Sequence, residues 1–239
     1  MKSTFRGLIN KLTKENIQTI LRETFQFNLS IGKGLLIHFL ILAQKQQPQQ
    51  TIVFTTFISV INCLLPEIGK VAIHRIIHHY KLAIERNEKE HSLHLLQFIS
   101  HFVNQEICDK MLCFELLSEL KEHENEDNIQ RMIELLKYSG KYLQENEKGK
   151  VSEYFEYLNK IKTRRETSQY IRSLISFLWN ERQKGFPNYP VIEEELDIVP
   201  DDEKQCHKVS LNCQLEIHDE WNSFHFMDNF EYLGRKIIF

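Results

Sequence analysis

The sequence predicts an all-α fold in which helices joined by short turns stack in antiparallel pairs, with an extended acidic tail behind them. Three observations lead there. Apolar residues recur at i, i+3, i+4 and i+7 in block after block, so each block carries an apolar stripe along one helix face. The 239 residues hold only 8 Gly and 5 Pro, and three of the prolines fall between Pro187 and Pro200. No stretch alternates apolar and polar residues with period two between turn residues, as a strand would.

The elements follow in order. Phe5, Leu8, Ile9 and Leu12 place a stripe on a first helix over 3–11, and helices over 15–27 and 31–46 come next. Phe54, Phe57, Ile58 and Ile61 mark a helix over 51–65. Pro66 then opens one over 66–86, since a missing N–H costs nothing in a first helical turn. Leu95, Phe98, Ile99 and Phe102 carry a helix over 88–104, followed by another over 107–121. The last three run over 127–146, 149–161 and 164–184, on stripes such as Ile129, Met132, Ile133 and Leu136, or Ile171, Leu174, Ile175 and Leu178. Polar breaks separate them at Arg86–Glu88, Glu124–Asp127 and Glu147–Gly149. This makes about five antiparallel pairs of roughly forty residues each, the size of a HEAT-type repeat. A HEAT-type helical-repeat solenoid over 1–186 is the expected body.

From 187 to 239 the character changes. Pro187, Pro190 and Pro200 punctuate an acidic run from Glu193 to Glu203, with Val191, Ile192, Leu196 and Ile198 available to lie against the last helices. Trp221–Phe230 is aromatic enough to dock, whereas Arg235–Phe239 resembles neither a helix stop nor a domain finish.

Composition restricts the function classes. A net charge of −3 gives no support for a generally nucleic-acid-binding surface. No window approaches the ~20 apolar residues that span a bilayer, and the first residues lack the apolar core of a secretory signal. Five irregularly spaced cysteines make a poor disulfide framework, which points to a reducing compartment, cytoplasm or nucleus.

Catalytic and metal patterns are weak. His74 and His78 stand four apart, with His79 beside them, but Arg75 occupies the place where a metallohydrolase helix carries Glu. They are read as a polar helix face. Cys206, His207, Cys213 and His218 have ligand types that suit zinc at a spacing that matches no tight knuckle. Cys63, Cys108 and Cys113 are read as small buried side chains. Gly32-Lys33-Gly34 is too short for a phosphate loop, and no nucleophile elbow is present. The expectation is a chain that is not an enzyme, with no cofactor and no bound metal.

Several segments in fixed order are more telling. Gly7-Leu8-Ile9-Asn10-Lys11 is followed by Asn16-Ile17, Asn28, Gly32-Lys33-Gly34-Leu35 and Ala43-Gln44. Val60-Ile61-Asn62, Pro66-Glu67-Ile68-Gly69, Glu85–Lys89 and Phe98–Gln105 come next, then Gly185-Phe186, Pro190 and Leu196–Val199. This series resembles the middle domain of eukaryotic initiation factor 4G, in the form found in the Cwc twenty-two family of pre-mRNA-splicing factors. The resemblance runs from about Phe5 to about Phe230. It implies a five-repeat solenoid acting as a nuclear adaptor among other spliceosome proteins. Its implied partner is a DEAD-box ATPase of the initiation factor 4A-III type, held open during delivery for exon junction complex assembly. The implied role leaves room for an RNA contact in the assembled complex and involves no membrane. It places the partner contact on Gly7, Asn10 and Lys11.

Departures are clear as well. Lys162–Gln169 and the stretch from Cys206 onward match the family poorly. Nothing corresponds to the second helical domain of full-length members, so an excised domain or a reduced homologue is expected. The rivals are a helicase-binding scaffold of translation initiation or nonsense-mediated decay and, more remotely, a helical metal-dependent hydrolase.

Overall fold

Asn28, Asn125 and Ser168 each stand just before an apolar stripe, and each caps a helix. Their side-chain oxygens accept from the backbone N–H of Ile31, Asn128 and Ile171, at 3.2, 2.9 and 3.3 Å, which satisfies a donor that the first turn leaves open. The computed structural model describes residues 2–215 and 217. Among these residues it contains nine α-helices: α1 (Lys2–Lys11), α2 (Ile17–Thr24), α3 (Leu29–Gln46), α4 (Thr51–Leu64), α5 (Pro66–Glu85), α6 (Lys89–Asn104), α7 (Met111–Glu122), α8 (Glu126–Thr163) and α9 (Gln169–Gln183). None is long and apolar enough to cross a membrane.

The helices pack as a zigzag. From α3 onward chain neighbours pack on each other, and helices two apart also meet, α1 on α3 and α3 on α5, then α4 on α6 and α6 on α8. That is the pattern of stacked antiparallel pairs. All four members of the stripe on α4, and all four of that on α6, are buried. One continuous core runs from Phe5 to Leu211. Buried polar side chains tie repeats together where apolar packing alone would let them slide. Gln44 Nε2 on α3 donates to Thr51 Oγ1 at 3.1 Å and to the His94 carbonyl on α6 at 2.7 Å. Arg131 on α8 donates from Nε to Ser92 Oγ on α6 at 3.0 Å.

Among the boundaries that differ from the sequence reading, three have a specific structural cause. The expected break at Glu147–Gly149 is a bend within α8: only Glu147 leaves helical geometry, at φ −145° and ψ 50°. Lys110 reaches its carboxylate at 3.2 Å. The two limbs of α8 supply the helices expected over 127–146 and 149–161. Secondly, α7 starts at Met111 rather than 107, because the backbone of Ile107–Asp109 is otherwise engaged. His207 N–H donates to the Ile107 carbonyl at 2.9 Å, and Asp109 N–H donates to the His207 carbonyl at 3.0 Å. Thirdly, α9 starts at Ser168's cap and not at 164. The intervening Arg164 forms an ion pair with Glu124.

Residues 187–215 run back along the body as a strap. The turn into it is built by Gly185 and Phe186, both with positive φ (78° and 58°), where glycine is at ease and phenylalanine is strained. Phe186 is held there by its fit: its ring is 1% exposed, and a Cβ added at Gly140 on α8 would lie 2.8 Å from it. From there Tyr189 meets Tyr138 on α8, with ring centroids 5.3 Å apart. Glu193 and Glu195 reach Lys14, between α1 and α2, and Leu196 is fully buried against α4. The strap then doubles back past Asn62 and Cys63 to α7, where the Glu115 carboxylate accepts from Ser210 Oγ and Leu211 N–H at 2.8 and 2.6 Å. Trp221–Phe230, Arg235–Phe239 and His218 lie outside the described residues.

Candidate partner-binding surface

Helix α1 has the sequence Lys2-Ser3-Thr4-Phe5-Arg6-Gly7-Leu8-Ile9-Asn10-Lys11: three cations and no acidic residue. Phe5, Leu8 and Ile9 are buried. The helical period therefore gathers Ser3, Gly7 and Asn10 on another face, at i, i+4 and i+7, with Lys2 and Arg6 beside them. Phe39 of α3 closes the floor. The result is an open concavity of about 570 Å³ lined by Lys2, Ser3, Arg6, Gly7, Asn10 and Phe39.

Gly7 is instructive because the domain itself does not need it. A Cβ built at Gly7 meets nothing within 4 Å, and its backbone does not have positive φ. A mid-helix glycine costs ~1 kcal/mol relative to alanine. What it leaves is bare backbone at the bottom of a basic groove. Asn10 and Lys11 are exposed, and among the described residues neither side chain has a hydrogen-bond or ion-pair partner. The backbone below them is nevertheless fixed. Asn16 Nδ2 donates to the Lys11 carbonyl at 2.7 Å while Asn16 Oδ1 accepts from Thr13 N–H at 2.8 Å. Gly7 and Asn10 thus share the groove, and Lys11 sits at its edge, outside the lining.

Lys14, which helical spacing also carries away from the apolar stripe of α1, is not left to solvent: it bridges Glu193 and Glu195 at 2.8 and 2.7 Å. The hydrogen bonds that its ammonium donates to those two carboxylates raise its pKa above the usual lysine value. Reading the sequence also missed Lys2, Ser3, Arg6 and Phe39. The first three could have been found from their helical spacing to Gly7 and Asn10. Phe39 could not, since it reads as an ordinary core residue of α3.

The metal candidates that lie among the described residues do not assemble. Among the described residues no group of three or more His, Cys, Asp or Glu side chains could hold a metal ion. His74, expected on a polar face, is buried. His79 is half-buried, and that burial, reinforced by His78 and other neighbouring cations, pushes its pKa down to about 4. In the strap, His207 Nε2 lies 2.7 Å from Asn62 Oδ1, Cys206 is exposed and Cys213 half-buried. Cys108 and Cys113 are buried, and burial pushes the Cys113 thiol up to about 12. Cys63, also expected in the interior, is half-buried beside Glu203 of the strap. Gly32-Lys33-Gly34 lies inside the first turns of α3, with the Gly34 carbonyl accepting from Arg75 Nη1 at 2.8 Å.

Comparison with known proteins decides the family. Residues 4–184 match the MIF4G domain. The chain belongs to the MIF4G family. Members of that family are non-catalytic adaptors. The chain is 31% identical over 230 residues to the pre-mRNA-splicing factor CWC22 homologs of Danio rerio and Homo sapiens, an alignment that covers 96% of this chain and 23% and 25% of theirs. It is 31% identical over 232 residues to pre-mRNA-splicing factor CWC22 of Debaryomyces hansenii, covering 97% of this chain and 36% of that protein. This MIF4G chain therefore spans between about a quarter and about a third of the length of these relatives.

Proposed function

We propose that this MIF4G domain is a nuclear splicing adaptor whose α1 groove captures a DEAD-box ATPase of the initiation factor 4A-III type and holds its two lobes apart. The observation that carries the reading is the α1 surface. Gly7, Asn10 and Lys11 expose backbone, amide and ammonium groups for which the domain has no use of its own, on a helix held by its buried Phe5, Leu8 and Ile9. Directed hydrogen bonds to a partner's backbone and carboxylates are what such a surface offers. The relatives' description as pre-mRNA-splicing factors supports the setting, with other spliceosome proteins as neighbours and room for an RNA contact in the assembled complex.

The mechanism is a population shift. A clamp that binds separated lobes more tightly than closed ones lowers the ATPase's affinity for ATP and RNA, and those ligands weaken the clamp by the same factor. Adding the domain to the purified ATPase should inhibit hydrolysis, and excess RNA with a non-hydrolysable nucleotide should displace it. A rise in hydrolysis would instead make it the activating scaffold of translation initiation.

A further inference from the structure

The turn between α1 and α2, Leu12–Asn16, lies at the edge of the α1 groove and is pinned from two sides. Asn16 stands just before α2, where an asparagine usually caps the helix, yet its side chain makes no cap bond there. The amide is spent on the end of α1 instead. Its Nδ2 donates to the Lys11 carbonyl at 2.7 Å, and its Oδ1 accepts from Thr13 N–H at 2.8 Å. Leu12, only 2% exposed, sets the turn into the core between those two bonds.

The second pin comes from the strap, 179 positions further along the chain. Lys14 Nζ meets Glu193 Oε2 and Glu195 Oε2 at 2.8 and 2.7 Å. All three side chains keep contact with solvent, and exposed ion pairs of this kind contribute little to global stability. The strap has firmer holds in the buried Phe186 and Leu196. What the bridge fixes is the place of the turn, and with it the end of α1 that presents Lys11. Groups already held in their binding geometry lose less freedom on docking.

We infer that Lys14, Glu193 and Glu195 are positioning residues for the α1 groove, through which the strap holds Lys11 ready for a partner. None of the three lines the groove itself. The inference rests on the reading of the α1 surface as the place where the ATPase docks.

Charge gives the test its sign. The groove carries Lys2 and Arg6, with Lys11 at its edge and no acidic residue on α1, so it suits an acidic surface. If the three residues acted only through the field at the groove, Lys14→Met would weaken docking, whereas Glu193→Ala with Glu195→Ala would strengthen it. Positioning requires both changes to weaken it.

Calorimetric titration of the full chain against the purified ATPase reads the difference. Each variant should lose affinity by about three- to tenfold, and all three changes together should lose no more than either variant alone. Lys14→Arg, which keeps the bridge, should bind as the wild type does, and melting temperatures should hold throughout. Without any partner, exchange of the Thr13 amide should quicken roughly threefold or more in both variants. Should Lys14→Met fold poorly, the glutamate pair decides alone, since the two accounts give it opposite signs. Tighter binding by the glutamate pair would overturn the inference, as would unchanged affinity or unchanged Thr13 exchange. Asn10→Asp with Lys11→Glu is the reference. If it abolishes binding while the bridge variants bind normally, the groove stands and its link to the strap falls. If it binds normally too, the docking reading falls with it.

Discussion

The α1 groove and the junction of α4, α5 and the strap are built from similar residue types and use them in opposite ways. At the junction Asn62 donates from Nδ2 to the Gln205 carbonyl at 2.6 Å, and its Oδ1 meets His207 Nε2 at 2.7 Å. Gly69 on α5 has no room for a side chain, since a Cβ there would lie 1.9 Å from Asn62 Oδ1. In the groove Gly7 has open space around it, and Asn10 has no partner within the domain. Both places pair a glycine with an asparagine within a recognisable motif. Only the contacts distinguish the glycine and asparagine that hold the fold from those that are left for something else. The fold should therefore respond to substitution strongly near the strap and hardly at all on α1.

The largest response is expected at Phe186. Its ring fills the space over Gly140, so Phe186→Ala removes a buried aromatic and leaves a cavity, at a cost of ~3–5 kcal/mol. Calorimetric melting reads this directly, and a loss under ~1 kcal/mol would mean that the strap does not depend on this anchor.

Acid should act next, through buried histidines. Burial lowers His101 to about 4, and burial with nearby cations lowers His79 and His91 to about 4 as well, from the ordinary 6.5. Below pH 6.5 the unfolded chain binds protons that the folded chain refuses, so stability is full above that value. It falls as the pH drops from 6.5 towards 4. Chemical denaturation at pH 7.5, 6 and 5 should show the decline, and His101→Gln should flatten it. A profile that stays level between 7.5 and 5 would contradict this account.

How much of this was legible in the sequence depends on the range of the interaction involved. The helices were legible because their period reports a local geometry, and Asn28, Asn125 and Ser168 are local signals too. The start of α7 was not, because a residue a hundred positions away, His207, takes up the backbone of Ile107 and Asp109. The fate of Lys14 was hidden for the same reason. In the groove, the face shared by Gly7 and Asn10 follows from helical spacing, whereas Phe39 enters only through the packing of α3 on α1.

A smaller effect than acid is expected at Gly69. Gly69→Ala forces Asn62 to move, an overpacking cost of ~1–3 kcal/mol, and displaces the acceptor that His207 uses. Helical dichroism should persist while limited proteolysis opens the strap around Lys204 and Lys208. If the strap resists protease as well as in the wild type, Asn62 has yielded without releasing it and the junction is looser than its contacts imply.

The smallest effect on the fold, and the largest on binding, is expected from the double change Asn10→Asp, Lys11→Glu. Both side chains are exposed and unpartnered within the domain, and the anchor of this segment is Asn16, which bonds the Lys11 backbone and not its side chain. Surface changes of this kind usually stay within ~0.5 kcal/mol. The bland alternative for Lys11 is a cation favourable at a helix C-terminus, worth ~0.3–1 kcal/mol, and its reversal would lower the melting temperature slightly without touching any partner. Docking predicts a different outcome. Two negative charges replace a neutral amide and an ammonium on a basic groove, so groups on the ATPase that they met are left unpaired. Losses of ~2 kcal/mol or more are typical of such positions, which is well over tenfold in affinity. Calorimetric titration of wild type and mutant, with melting curves from the same samples, separates the two accounts. Unchanged affinity in a well-folded mutant would leave Gly7, Asn10 and Lys11 as surface without a partner and move the search to the opposite, strap-covered side.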